Sequence, residues 1–170
     1  MSLNDAYLLS QIVAALAVVL SLIGLMLSIR QNTRAQKTLS VQSLTAAITS
    51  INVPAMESPQ LGLALLVATE DWGAATREQR IISHYFLFSY FKLCEQAWDQ
   101  HRSGVLDGGQ WSGWEVSLLR YYHSPGVAAG WWPNRSESYS PEFRDYLALT
   151  PQPVVAAHQS LRALFDGASA

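Results

Sequence analysis

The sequence has a single cysteine, few charged side chains and no segment of alternating hydrophobicity. The lone Cys94 excludes an intramolecular disulfide, and no Cys/His cluster has zinc-finger spacing. The eleven Lys and Arg are scattered and the formal net charge is -2, so the basic field that nucleic-acid binding requires is missing. Because strand patterns are absent, we predict an all-α chain with one compact domain and a small appendage.

Sequence motifs that carry chemistry are missing as well. There is no phosphate-binding glycine loop, no H-E-x-x-H zinc motif, no G-x-S-x-G nucleophile elbow and no calcium loop. We therefore predict no catalytic residue, no metal and no cofactor, and a non-enzymatic role is favoured.

Charge is lacking above all near the N-terminus, where the 22 residues from Leu8 to Ile29 carry none. As a helix this run would measure about 33 Å, which matches the hydrocarbon core of a bilayer. The residues before it lack the basic n-region of a secretion signal. We predict a retained transmembrane helix over 8–29, preceded by a short extracytoplasmic N-terminus over 1–7.

The flanks of this run predict its orientation. Arg30, Arg34 and Lys37 follow it, whereas Asp5 is the only charged side chain before it. By the positive-inside rule we expect the N-terminus to lie outside and the rest of the chain in the cytoplasm, so the chain is predicted to cross the membrane once. The unpaired Cys94 agrees with a reducing compartment.

Small residues recur along the run at spacings of 4, 3, 4, 3 and 4, and so form one helical stripe. Such residues allow membrane helices to approach closely, which predicts association with a second copy or with a partner protein. The alternative is that the stripe reflects only the general abundance of these residues in membrane spans. The stripe, called the small-residue seam below, consists of Ser10, Ala14, Ala17, Ser21, Gly24 and Ser28.

The remaining chain is predicted to continue as a juxtamembrane helix over 30–53 and then as a cytoplasmic helical domain over 54–170. Pro54 predicts the end of the juxtamembrane helix. Ser58 followed by Pro59 predicts the next helix start, because proline already holds a helical φ.

Further helix starts follow along the chain, so we predict a bundle of about six helices. The longest is predicted to start at a capping box of Thr76 and Gln79 and to end at Gly104. A last helix is predicted over "PVVAAHQSLRALF", residues 153–165. The other predicted N-caps are Asp107, Ser124 and Ser140.

Glu95 lies in the apolar stretch "FKLCEQAWDQH" of the longest predicted helix. A carboxylate in such surroundings either pairs with a cation or has a raised pKa. The functional hypothesis is a pocket around Glu95 with His84, Trp98 and His101. The structural hypothesis, which we favour, is an ion pair with an arginine of a neighbouring helix. His84 would lie about 16 Å along the helix from Glu95, too far to share a metal.

Six large aromatic residues crowd the region from 111 to 132. We favour a core role for them, filling the space where short helices meet the long one. The alternative is an exposed aromatic loop, "GWWPNRSESY", that binds a partner through Trp131, Trp132 and Arg135. The six residues are Trp111, Trp114, Tyr121, Tyr122, Trp131 and Trp132.

An N-terminal span followed by "RQNTRAQ", "YFKLCEQAWDQHRSGVLD", "SPGVAAGWWPNR" and "YSPEFRDYL" resembles a group of small bacterial single-pass membrane proteins of unknown function, the DUF4760-like proteins. Those proteins commonly show a Glu in the long helix, a Gly-x-Leu/Ile-Asp turn, a Pro-Gly pair with a later Trp, and a Phe in a late acidic helix. The resemblance implies this architecture and a location in the bacterial inner membrane, and it implies no activity. The matching residues here are Glu95, Gly104, Asp107, Pro125, Gly126, Trp132 and Phe143.

The anchor, the small-residue seam and the missing catalytic motifs together favour a membrane-tethered adaptor, accessory or regulatory protein that binds a protein partner near the bilayer. A small-ligand sensor or enzyme with a pocket around Glu95 is the first alternative. A homo-oligomeric assembly through the small-residue seam is the second. Nucleic acid is not expected as a partner.

Overall fold

The computed structural model describes residues 3–152 and 154, and the chain divides into two units, Met1–Val41 and Gln42–Ala170. The described residues contain α-helices and short helical turns and no strand, so the all-α prediction is confirmed. Apart from Val154, the predicted last helix over 153–165 lies outside the described residues. The α-helices are α1 (Leu3–Glu57), α2 (Pro59–Glu70), α3 (Arg77–Arg102), α4 (Gly108–Tyr122) and α5 (Pro141–Leu149).

α1 contains the uncharged run, and it is long and apolar enough to cross a membrane. The large apolar side chains from Ile12 to Ile29 are exposed, as in Leu20 at 68% and Leu16 at 58%. The hydroxyl of Ser21 donates to the carbonyl of Ala17, 2.8 Å away, so this polar group is satisfied within its own helix. A helix with exposed apolar sides and internally paired polar groups fits a hydrocarbon solvent.

The predicted helix end at Pro54 is wrong by about one turn. α1 runs through Pro54 to Glu57, and the N–H of Ser58 donates to the carbonyl of Pro54 at 3.0 Å. A proline cannot donate a hydrogen bond to the preceding turn, but its carbonyl still accepts one. The turn that follows Pro54 can therefore form near the helix end. The next start is confirmed, since Ser58 precedes Pro59 at the first position of α2, although the Ser58 hydroxyl makes no capping bond.

α3 is the central element of the helical unit, as its apolar side chains on more than one face predict. Phe91 and Cys94 are both fully buried at 0% exposure. Burial raises the pKa of the Cys94 thiol to about 12. The buried positions of this helix are Ser83, Phe86, Leu87, Tyr90, Phe91, Leu93, Cys94, Ala97 and Trp98.

Local capping signals set both ends of α3 and the start of α4. Thr76 and Gln79 form the predicted capping box, with each side chain accepting from the other residue's backbone N–H. Gly104 ends the helix with a φ of +69°, a conformation that favours glycine. Asp107 caps α4, and a second capping box with Gln110 forms there.

The predicted helix start at Ser124 is confirmed, since helical residues begin at Pro125 and the carbonyl of Ser124 accepts from the N–H groups of Val127 and Ala128. The Ser124 hydroxyl itself donates to the carbonyl of Arg120 at 2.8 Å, so this side chain makes no capping bond. The segment after α4 continues as a π-helical turn, Val127–Trp131, followed by two 3-10 turns, Trp132–Asn134 and Ser136–Ser138.

Two glycines of this segment explain how it lies against the end of α2. A Cβ on Gly126 would lie 2.1 Å from the carbonyl oxygen of Ala68, and one on Gly130 would lie 2.3 Å from the Cβ of Trp72. The contact therefore requires residues without side chains at both positions.

Candidate functional site

Glu95 is held by two hydrogen bonds. The ammonium group of Lys92, one turn earlier on α3, lies 2.8 Å from Oε2, and the backbone N–H of Ser140 donates to Oε1 at 2.6 Å. Ser140 is the N-cap residue of α5. The ion pair of Glu95 is therefore made with a lysine of its own helix, not with the arginine of a neighbouring helix that the sequence suggested.

The surroundings of Glu95 favour its charged form. Burial alone would raise the pKa of this carboxyl, but the hydrogen bonds from Lys92 and Ser140 lower it, and the net pKa lies below the usual 4.5. Lys92 also donates to the carbonyl of Ser138 and lies 4.6 Å from the ring centroid of Tyr139. Glu95 and Lys92 therefore connect α3 to the start of α5, and their role in this arrangement is structural.

We expect Glu95→Gln to lower the free energy of unfolding by about 1 kcal/mol at pH 7, because the charged acceptor at the start of α5 is lost. Urea unfolding of the purified full-length protein, followed by tryptophan fluorescence, measures this. A depressed carboxyl pKa stabilises the folded state above the unfolded pKa, so the difference from wild type should shrink as the pH falls below about 4.5.

Glu142→Gln is the matched control for this change, since Glu142 lies exposed in the first turn of α5. It should cost only a few tenths of a kcal/mol through the helix dipole. Equal losses in the two variants would contradict the role assigned to Glu95.

The other residues predicted around Glu95 each have a structural partner elsewhere. Trp98 packs on the ring of Phe143 at 5.5 Å. His101 stacks on Trp111 at 5.5 Å, and its Nδ1–H donates to the carbonyl of Leu106 at 3.2 Å. The structure therefore does not bring these side chains together with Glu95 in one pocket.

Trp131 and Trp132 are buried, at 1% and 9% exposure. The hypothesis of an exposed aromatic loop is therefore wrong for both, and the core interpretation is confirmed for them. Both rings lie 5.3 Å from the ring of Phe91, which explains their burial. Arg135, the third residue of that hypothesis, is exposed.

Arg135 and the first turns of α3 line a surface cavity of about 410 Å³, here called the arginine cleft. Its charged side chains are three arginines, and the guanidinium groups form no ion pair or side-chain hydrogen bond within the described part of the chain. Glu70 and Asp71 line a neighbouring pocket that shares Trp72, and neither lines the cleft. The lining residues are Trp72, Arg77, Arg80, Ile81, His84, Tyr85 and Arg135.

His84 is fixed in the arginine cleft by Trp131. The indole N–H of Trp131 donates to Nδ1 of His84 at 3.1 Å, which leaves the proton of the neutral imidazole on Nε2. Burial and the nearby charge of Arg135 both lower the pKa of His84 below 6.5. His84 is therefore a neutral hydrogen-bond donor in the cleft at physiological pH.

We expect Arg135→Gln to raise the pKa of His84, because the substitution removes a positive charge that disfavours the imidazolium ion. The imidazole proton resonances, followed by NMR between pH 4 and 8, measure the change. Arg102→Gln removes the same charge from the end of α3, where Arg102 lies over the ring of Trp98, and should leave the titration of His84 unchanged. Identical titrations in the two variants would contradict the placement of Arg135 beside His84.

A second cavity of about 370 Å³, here called the aromatic pocket, lies between the C-terminal part of α1, α3 and α4. The Tyr90 hydroxyl donates to Oγ of Ser117 at 2.8 Å. Burial raises the pKa of Tyr90 well above its usual value and that of Tyr121 to about 12, so both phenols are neutral at physiological pH. No charged side chain lines it. The lining residues are Ile48, Asn52, Phe86, Tyr90, Gln110, Gly113, Trp114, Ser117 and Tyr121.

Sequence reasoning missed the arginine cleft, although part of its signal is local. Arg77, Arg80 and His84 recur at spacings of 3 and 4, which places them on one face of α3. Among the residues that the structure describes, no group of His, Cys, Asp and Glu could hold a metal ion. The structure does not test helix association through the small-residue seam, which stays a prediction, and the side chains of Ser10 and Ala14 lie outside its description.

Comparison of the chain with models of protein families, with curated proteins and with solved structures found no match. The resemblance to the DUF4760-like proteins therefore stays a prediction.

Proposed function

We propose that this protein is a membrane-tethered adaptor or regulatory protein. In this proposal α1 anchors it in the bacterial inner membrane with the N-terminus outside, and the helical unit docks a protein partner in the cytoplasm. The observation that carries the proposal is the uncharged run from Leu8 to Ile29 within one continuous helix, whose large apolar side chains from Ile12 to Ile29 are exposed and fit an apolar environment.

Two further observations support the orientation and the docking role. Arg30, Arg34 and Lys37 follow the apolar run, as cytoplasmic flanks do. The arginine cleft combines exposed arginine and aromatic side chains, which are residue types enriched at interaction hot spots.

Native mass spectrometry tests the proposal, using the full-length protein extracted from its own membranes in a mild detergent. We expect a stoichiometric foreign subunit bound to this chain. A bare monomer, or an assembly of this chain alone, contradicts the adaptor role, and the assembly would instead favour association through the small-residue seam. The control is Gly24→Leu, which should disperse such an assembly if the seam forms it.

A small-ligand sensor is the second candidate function, and the aromatic pocket favours it over a pocket around Glu95. The cavity has the size of a small-ligand site, and its uncharged lining combines apolar rings with hydroxyl and amide groups. In the same spectra, a small mass that stays on the monomer and is lost in Gly113→Leu would support this candidate. No atom lies within 4 Å of a Cβ built at Gly113, so the larger side chain has room to occupy the pocket.

A further inference from the structure

The charged and nitrogen-bearing groups of the arginine cleft are all hydrogen-bond donors. Arg77, Arg80 and Arg135 contribute guanidinium groups, which have no acceptor atom, and His84 contributes Nε2–H because its Nδ1 is already occupied by Trp131. The cleft has no carboxylate of its own to receive these donors. Such a set matches an anionic ligand with several oxygen atoms.

The arrangement is unfavourable without such a ligand. Three positive charges around one cavity repel each other, and Arg135 already disfavours the protonation of His84. Two other cations of the described helical unit lie beside a carboxylate: Lys92 is 2.8 Å from Glu95, and Arg144 is 3.8 Å from Glu137. The three arginines of the cleft have no such carboxylate among the described residues, and an external anion would supply one.

The apolar wall of the cleft limits which anion fits. Tyr85 is 68% exposed and Ile81 is 48% exposed, although both are large apolar side chains next to the guanidinium groups. An inorganic ion would leave this wall in water. A ligand that also carries an aliphatic or aromatic group would cover it and gain from apolar burial.

We propose that the arginine cleft binds an acidic segment of a partner protein in which Asp or Glu residues flank an aliphatic or aromatic residue. The carboxylates contact the three arginines, and the apolar side chain packs on Ile81 and Tyr85. This inference rests on the proposed adaptor function, since it names the chemistry of the docking partner. Charge complementarity is its basis.

Selection from a random peptide display library tests the inference. The bait is the full-length protein in nanodiscs of zwitterionic lipid, so that anionic lipid does not compete. We expect the selected peptides to be enriched in Asp and Glu around an apolar residue. Peptides without acidic enrichment would overturn the proposal.

The affinity of a selected peptide is then measured by fluorescence anisotropy against single-charge variants. We expect Arg80→Gln and Arg135→Gln each to weaken binding about tenfold, as loss of one charged hot-spot contact does. Arg102→Gln is the matched control: it removes the same charge from α3 but lies outside the cleft, and it should leave affinity within about twofold. Equal weakening by all three variants would overturn the site, because it would show a long-range charge effect only.

Competition distinguishes the peptide from other anions. Inorganic phosphate and short-chain phosphatidylglycerol are added to the preformed complex. We expect neither to displace the peptide at equal concentration, since neither provides the carboxylates and the apolar group together. Displacement by the lipid would overturn the proposal in favour of a headgroup site.

Failure of this inference is separable from failure of the adaptor function. Suppose that native mass spectrometry shows a foreign subunit while the affinity for the peptide does not change in Arg80→Gln and Arg135→Gln. That result would support the adaptor role and contradict the cleft as its docking site. If the chain purifies without any partner but its peptide binding depends on Arg80 and Arg135, the cleft would be supported as a binding site and the adaptor role contradicted.

Discussion

Gly126→Ala is expected to lower the free energy of unfolding of the helical unit by about 3 kcal/mol, the upper range for overpacking a close contact. The new Cβ would lie 2.1 Å from the carbonyl oxygen of Ala68 and 2.8 Å from the backbone nitrogen of Trp72. Both are backbone atoms of the α2 end, so neither can rotate away. The backbone of Gly126 has φ −67° and ψ −30°, which alanine adopts freely, so the loss comes from contact alone.

Urea unfolding followed by tryptophan fluorescence measures this change, because all six tryptophans lie between residues 72 and 132, within the helical unit. A thermal melt should shift down by roughly 10 °C. Gly113→Ala is the matched control. It lies within α4 with no atom within 4 Å of the added Cβ, and it should stabilise the protein by up to about 1 kcal/mol through helix propensity. Similar values for the two variants would contradict the close approach at α2.

Trp131→Ala is expected to cost about 4 kcal/mol, the central value for truncating a buried tryptophan. The side chain is 1% exposed and lies between Phe91, Trp132 and His84. Its removal opens a large cavity beside α3 and also takes the N–H donor from Nδ1 of His84. The arginine cleft should therefore lose the fixed orientation of its imidazole together with stability.

Trp114→Ala makes the same truncation at a half-buried tryptophan that lines the aromatic pocket. It should cost about 2 kcal/mol, because less apolar area returns to water. The same urea titration compares the two. A Trp131→Ala protein as stable as Trp114→Ala would show that the 127–138 segment does not form part of the core.

The helix boundaries that could be predicted from the sequence are those encoded locally. Thr76 with Gln79, and Gly104 after α3, satisfy backbone groups within a few residues of themselves, so their effect does not depend on the rest of the fold. Asp107 behaves in the same way at α4.

Boundaries that depend on tertiary contacts could not be predicted in this way. Ser124 precedes helical residues as predicted, but the π-helical turn that follows is shaped by the fit of Gly126 and Gly130 against the end of α2, more than 50 residues earlier in the chain. Ser140 precedes α5 as predicted, but its backbone N–H is bound by Glu95 of a different helix. Neither contact has a sequence signal of its own.

The candidate site was predictable only in part for the same reason. The face of α3 that holds Arg77, Arg80 and His84 follows from helical spacing. Arg135 joins this face from a turn 51 residues further along, and Trp131 reaches His84 across 47 residues. The position of Glu95 among apolar residues makes it a candidate, and the spacing of three residues from Lys92 predicts the partner that it has.

Because Cys94 is buried, its reactivity toward thiol reagents can report how often the folded protein opens. Cys94 is the only thiol in the chain, it is fully buried on α3, and its raised pKa keeps it protonated and unreactive in the folded state. Alkylation by a thiol reagent should therefore proceed only through conformations in which α3 is exposed, at a rate that follows the population of those conformations. Pulse labelling of intact cells could then measure the stability of the wild-type chain in place, without a tag or an engineered probe.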